Sequence, residues 1–151
     1  MLATKRLTRE LKLLHDDPPV EFIVKCDEND MLKWYFLIYG SPDTPYEGGL
    51  YIGELLFRDT YPFTGPDFIM HTPSGRFDPG KKICTSTSAF HKMEYSSSLN
   101  IRTLLMGFLS FMNEDGSGIS SLRTSAKDRK TLAAQSVKWT ENSNIYKKYF
   151  A

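Results

Sequence analysis

Only two cysteines occur in 151 residues, Cys26 and Cys84, and they stand far apart. That excludes a disulfide-scaffolded fold and a cysteine-clustered metal centre, and it suits a reducing compartment, cytosol or nucleus. Long apolar runs are missing as well. No stretch approaches the roughly twenty apolar residues that span a bilayer. The start, Met1-Leu2-Ala3-Thr4-Lys5-Arg6, leads into a charged segment rather than the apolar core of a secretory signal. The expectation is a cytoplasmic chain whose 151 residues make no membrane contact. An excess of one charge is also lacking: 19 Lys and Arg stand against 18 Asp and Glu, for a net charge of +1. No global field therefore draws nucleic acid, and any steering falls to local faces. Internal repeats and low-complexity tracts are absent. What remains is an ordinary globular composition, 40% hydrophobic and 25% charged, and a length that suits one compact domain, residues 1–151, with a real core.

Residues 4–15 place Leu7, Leu11 and Leu14 on one helical face, with Lys5, Arg6, Arg9 and Lys12 on the rest. This predicts an amphipathic helix, ended by Asp16-Asp17-Pro18-Pro19. Its basic face is a solvated surface or a docking face for an acidic partner. Four β-type runs follow, Val20–Lys25, Leu32–Tyr39, Leu50–Phe57 and Phe68–His71, separated by turn-forming residues. Short connections favour an antiparallel meander, and the alternating aromatics Trp34, Phe36 and Tyr35, Tyr39 suit a sheet with one face on a core. Residues 72–100 show no sustained period, and so long an irregular stretch in a compact domain is usually functional or disordered. Phe77, Ile83 and Phe90 within it argue for order, and hence for function. Next, Ile101, Leu104, Leu105, Phe108, Phe111 and Met112 recur at helical spacing, predicting a central buried helix with Asn100 as N-cap. Residues 127–139 and 143–150 read as two shorter helices, with Leu132, Val137, Trp139, Ile145, Tyr146 and Phe150 as packing residues. Helix, strands, long loop, helices: the order indicates α+β.

Cys84 closes the irregular stretch. It follows Tyr61-Pro62-Phe63-Thr64-Gly65-Pro66, then Thr72-Pro73-Ser74-Gly75-Arg76-Phe77, and lies between Lys81-Lys82 and Thr85-Ser86-Thr87-Ser88. Neighbouring cations favour the thiolate, the reactive form, so Cys84 is a candidate nucleophile. Cys26, at the end of a predicted strand, has no loop motif around it and reads as a structural or surface thiol.

The motifs Pro45-Tyr46-Glu47-Gly48-Gly49, Tyr61-Pro62-Phe63 with Pro66, Thr72-Pro73-Ser74, Ile83-Cys84 and the apolar helix from Ile101, in this order, resemble the ubiquitin-conjugating enzyme family over essentially the whole chain. Most of that family carries His-Pro-Asn where this chain has Thr72-Pro73-Ser74. The Thr-Pro start, with Gly75-Arg76-Phe77, Ser110-Phe111-Met112 and Leu132-Ala133-Ala134-Gln135-Ser136, is similar to the branch associated with the endoplasmic reticulum. Members of that branch continue into a linker and a C-terminal membrane anchor. The chain then reads as a catalytic domain or a soluble relative, at the cytosolic face of that organelle if an anchor belongs to it.

The resemblance implies a UBC-like fold: N-terminal helix, four-stranded antiparallel meander, long active-site loop, central helix and C-terminal helices. It implies a thioester carrier that takes ubiquitin from the activating enzyme and, with a RING-type ligase, passes it to lysine, serine or threonine of a protein substrate in endoplasmic-reticulum-associated degradation. No metal or organic cofactor is needed. Cys84 carries the acyl group. Ser74 replaces an asparagine thought to brace the loop and help stabilise the oxyanion, and either stabilises it or shapes the turn before Gly75. His91 either accepts the proton of an incoming nucleophile or hydrogen-bonds within the loop. Asn113, Glu114 and Asp115 stand where relatives place polar groups beside the incoming amine. Ligase and activating-enzyme contacts fall on Lys5, Arg6, Arg9, Phe63 and the segment Tyr95, Ser96, Ser97 and Ser98, which replaces a Trp-x-Pro signature. Two other readings stay open: a catalytically impaired interaction module of this fold, and a carrier of a ubiquitin-like modifier. A papain-like hydrolase is disfavoured, because its signature around the cysteine is missing.

Overall fold

In the computed structural model, residues 2–83, 100–114 and 121–151 are described. Helix α1 (Leu2–Asp16) leads into β1 (Phe22–Cys26), β2 (Lys33–Tyr39), β3 (Leu50–Leu56), β4 (Asp67–Met70) and β5 (Lys82–Ile83), followed by α2 (Ile101–Met112), α3 (Ala126–Glu141) and α4 (Asn144–Tyr149). The strands form one antiparallel sheet in sequence order. The fold is the α+β arrangement expected, with one addition. A fifth strand lies inside the stretch that shows no period, and two residues are too short to show one. β1 also begins two residues later than expected, and Val20 stands 85% exposed.

Sheet alternation explains the unbroken apolar sequence of β2. Trp34, Phe36 and Ile38 face the main core with α1 and α2, whereas Leu37 on the other face joins Leu50 and Ile52. Val137, Ile145, Tyr146 and Phe150 cover that second cluster. The sheet is thus covered on both faces, where alternation had suggested one, and both residue parities turn apolar. Trp139, expected to pack, is 42% exposed. The inward stripe of α3 is instead Arg129, Ala133, Ser136 and Thr140.

Phe108 centres the main core. Its ring stacks on Phe68 at 4.7 Å and Phe77 at 5.4 Å, and meets Phe36 edge-on at 5.8 Å. Its helix, α2, starts as the sequence predicts. Asn100 accepts from the Thr103 N–H, and the Thr103 hydroxyl accepts from the Asn100 N–H, a reciprocal cap. A second cap comes from α1. The Glu10 carboxylate, buried, accepts from the Ile101 N–H at 2.6 Å, the Tyr61 hydroxyl at 2.7 Å and the Arg6 guanidinium at 3.2 Å. A carboxylate at a helix N-terminus satisfies an orphan donor and complements the helix dipole. Among the described residues, no helix is long and apolar enough to cross a membrane.

Because these bonds are buried and charge-assisted, Glu10→Ala should lower the unfolding free energy by about 3 kcal/mol, measured by urea denaturation. A loss below about 1 kcal/mol would mean that Glu10 behaves as a solvated surface carboxylate.

Candidate active site

The segment Thr72–Phe77 leaves β4 and runs beneath α2 and α3. Ser74 is fully buried. Its hydroxyl oxygen accepts the N–H of Arg76 at 3.1 Å and that of Phe77 at 3.4 Å. This is a side-chain-closed turn, in which a hydroxyl does the work of a backbone carbonyl. Gly75 supplies the turn's positive φ of 78°. A Cβ there would meet Thr124 Oγ1 at 2.8 Å and Arg129 Cγ at 3.1 Å, so glycine is required for space as well as for conformation.

Arg76 anchors the turn. Its side chain is fully buried, and its guanidinium donates to the carbonyls of Phe111 (3.0 Å), Met112 (3.2 Å) and Glu114 (3.1 Å) and to the Ser121 hydroxyl (2.9 Å). The guanidinium carbon lies 4.7 Å from the ring centres of both Phe77 and Phe111. It therefore caps the C-terminus of α2, where a cation is favoured. Its backbone carbonyl accepts from the Leu122 N–H at 2.8 Å. A second buried arginine, Arg129 of α3, donates to Thr124 Oγ1 at 2.9 Å, the Tyr46 hydroxyl at 3.1 Å and the Leu122 carbonyl at 3.1 Å. Thr124 in turn donates to the Gly75 carbonyl at 2.6 Å.

A second group of expected residues lies on α1 and the loop before β4. Phe63 is 69% exposed, while its neighbours Tyr61 and Pro62 are buried. The Tyr61–Pro62 peptide is cis, and the Tyr61 hydroxyl ties the loop to Glu10 of α1. Lys5 and Arg9 are exposed. Arg6 turns inward instead, onto Glu10 and 5.9 Å from the Tyr61 ring centre. It serves the junction that holds Phe63 out. Beyond α2, Asn113 donates to the Ser41 hydroxyl at 2.9 Å, and Glu114 is exposed while its carbonyl meets Arg76. Cys84, His91, Tyr95, Ser96, Ser97, Ser98 and Asp115 lie outside the described residues. The strand before Cys84 is fixed by Ile83 opposite Phe68.

The other thiol is in poor chemical condition for attack. Partial burial, and then the nearby charges of Asp27 and Asp30, push the Cys26 thiol up, and its Sγ lies 3.5 Å from the Asp27 carbonyl. His71, for which the sequence offered no context, gains one. Its Nε2 is 2.8 Å from Glu54 Oε2, and Lys33 Nζ is 3.3 Å from Glu54 Oε1. The His71 hydrogen bond above all, with the electrostatic pull of His71 and Lys33 added, holds the Glu54 carboxyl below its ordinary value of 4.5 against the opposing effect of burial. Among the described residues no group of three or more His, Cys, Asp or Glu could hold a metal ion.

Sequence reasoning missed Glu10, Arg129, Ser136 and Thr140, because a search for apolar stripes passes over polar inward faces. The signal existed: Arg129, Ala133, Ser136 and Thr140 follow helical spacing.

Residues 6–148 match the family described as ubiquitin-conjugating enzyme. The chain is 40% identical over 149 residues to ubiquitin-conjugating enzyme E2 6 of Candida glabrata, covering 98% of this chain and 61% of that one. It is 34% identical over 145 residues to the ubiquitin-conjugating enzyme E2 J2-like protein of Dictyostelium discoideum, covering 96% and 85%. The solved structure of human ubiquitin-conjugating enzyme E2 G1 superposes with a TM-score of 0.64 at 26% identity, over 73% of this chain and 93% of that one.

Two outcomes test this geometry. Arg76→Met strands several buried acceptors and should cost at least about 3 kcal/mol of stability, while Phe63→Ala, on an exposed side chain, should change it by less than about 0.5 kcal/mol; equal losses in thermal unfolding would refute the assignment. Glu54 is lower in the folded than in the unfolded chain, so its contribution is complete above the ordinary carboxylate range and is lost as pH falls through the depressed value. Stability measured from pH 7 down to about pH 2 should therefore decline less steeply in Glu54→Gln than in wild type.

Proposed function

Because the chain belongs to the ubiquitin-conjugating enzyme family, we propose that it carries ubiquitin on Cys84 as a thioester and transfers it to an amine or hydroxyl of a protein substrate. The Cys84 sulfur attacks the thioester carbonyl presented by the activating enzyme, a new C–S bond forms, and the activating enzyme's thiolate departs. In the second step a substrate amine attacks the same carbonyl, the C–N bond forms, the Cys84 thiolate leaves, and the amine gives up a proton. His91 takes that proton, or that of an attacking hydroxyl.

The observation that carries this reading is the buried Ser74 turn and its Arg76 anchor, held one short strand, β5, before Cys84. Such investment in an irregular segment suits a site in which geometry must be preset. Ser74 serves by closing its turn, since its oxygen already holds two backbone N–H groups. Its own O–H is the one donor it has for a developing oxyanion. Phe63, Lys5, Arg9 and the segment Tyr95–Ser98 meet a RING-type ligase, with the exposure of Phe63 as the supporting feature. The Thr72–Phe77 motif and the 40% identity to ubiquitin-conjugating enzyme E2 6 support a role in endoplasmic-reticulum-associated degradation, on the cytosolic face. Residues 1–151 form the single catalytic domain.

Incubation with activating enzyme, ubiquitin and ATP should give a reductant-sensitive adduct in wild type and in Cys26→Ser. Cys84→Ser should give none, or a reductant-stable ester. No wild-type adduct, with the protein folded and a control enzyme charging, would reject the ubiquitin carrier and bring a ubiquitin-like modifier or a non-catalytic module to the front.

A further inference from the structure

β4 pairs with β3 only from Gly53 to Leu56, so the first residues of β3 extend past their neighbour. Backbone groups left there must find partners in a buried site. The Ile52 carbonyl accepts from the His71 N–H at 2.9 Å. Side-chain hydroxyls take most of the others. The Leu50 N–H donates to Ser136 Oγ at 2.9 Å, the Leu50 carbonyl accepts from Thr140 Oγ1 at 2.7 Å, and the Ile52 N–H donates to Thr72 Oγ1 at 2.9 Å. Thr72 Oγ1 and Thr140 Oγ1 are 2.7 Å apart, and all three hydroxyl residues are buried.

A hydroxyl has one proton, so the directions follow. Thr140 spends its proton on the Leu50 carbonyl and must accept from Thr72. Thr72 therefore donates to Thr140 and accepts from Ile52. Ser136 gives its proton to the Ala133 carbonyl at 2.7 Å and accepts from Leu50. Ser136 and Thr140, four residues apart on one face of α3, meet the N–H and the carbonyl of the same strand residue, Leu50. Ser136 and Thr140 thus act as rungs of a strand that is missing.

The geometry points to Thr140 as a positioning residue for the acyl-transfer site, acting through Thr72 on the Ser74 turn. Thr72 precedes a proline and is restricted to extended backbone, and Pro73 has a fixed φ. Little torsional freedom separates the Thr72 hydroxyl from Ser74, so a shift at one is delivered to the other. The far side of the turn is braced from the same helix, by Arg129 through Thr124 on the Gly75 carbonyl. This inference rests on the thioester-carrier reading above.

The test charges the 151-residue protein with ubiquitin to completion, removes ATP, and times discharge onto saturating free lysine, well below each variant's unfolding midpoint. Thr140→Val keeps the shape and removes the hydroxyl; its discharge should be about tenfold slower. Thr140→Ser restores the hydroxyl and should stay within about twofold of wild type. Thr72→Val should slow discharge similarly, and the double Val variant should be no slower than the slower single one, since both break one chain. Should Thr140→Val not fold, Thr72→Val reads the same bond from its other end. Wild-type discharge by the Val variants, Thr140→Ser as slow as Thr140→Val, or effects that multiply in the double variant would overturn the inference alone. Wild type that never charges would overturn the carrier reading and this inference with it.

Discussion

The central helix α2 is held by opposite charges at its two ends, and both arrive from outside it. Glu10 of α1 meets the Ile101 N–H at one end, and Arg76 meets the Phe111 and Met112 carbonyls at the other. Each charge sits where the helix dipole favours it, and each closes backbone groups that water cannot reach. Between these clamps Phe108 gathers Phe36, Phe68 and Phe77. The clamps also join distant parts of the chain. Glu10 binds α1 and the Tyr61 loop to the start of α2, and Arg76 binds the Ser74 turn and Ser121 to its end. The loop that presents Phe63 and the turn that precedes Cys84 are therefore referred to one rigid rod.

How far this was legible depends on what each segment spends its residues on. α1, β1 to β4 and α2 were readable because apolar side chains recur at the period of their element, and Asn100 announced the start of α2. β5 was not, since two residues carry no period. The sequence shows α3 as a helix but hides its inward face, because that face is built from Arg129, Ser136 and Thr140, whereas hydrophobicity alone points Trp139 inside. At the site, the sequence marks Ser74 and Phe63 as positions. The use of Ser74 as a double acceptor depends on the φ of Gly75 and the approach of Arg76, and neither follows from composition. Arg6 shared a helix face with Lys5 and Arg9 in the sequence, yet a buried carboxylate four residues on turns it inward.

A polar inward face is costly unless each group is satisfied. α3 meets that condition by supplying what β3 lacks: Ser136 and Thr140 take the Leu50 N–H and carbonyl. An apolar residue at either position would fill the same volume and strand a backbone group, an asymmetry in which the missing bond matters more than the bond itself. The polar stripe is thus a continuation of the sheet by other means. It also explains why α3 packs on β3 although its stripe contains few apolar side chains.

The two faces of the site carry different constraints. Ser74, Gly75 and Arg76 are buried and touch α2 and α3, so a change there alters fold and site together. Phe63, Lys5 and Arg9 are exposed and owe their placement to neighbours, Tyr61 and Glu10, that do not themselves reach the surface. A substitution at an exposed position costs the fold little, while at a partner surface it can remove a contact that carries much of the binding energy. These exposed residues are therefore free to change without loss of the scaffold that aims them. The Ser74 turn and its arginine anchor, by contrast, stay fixed by the core.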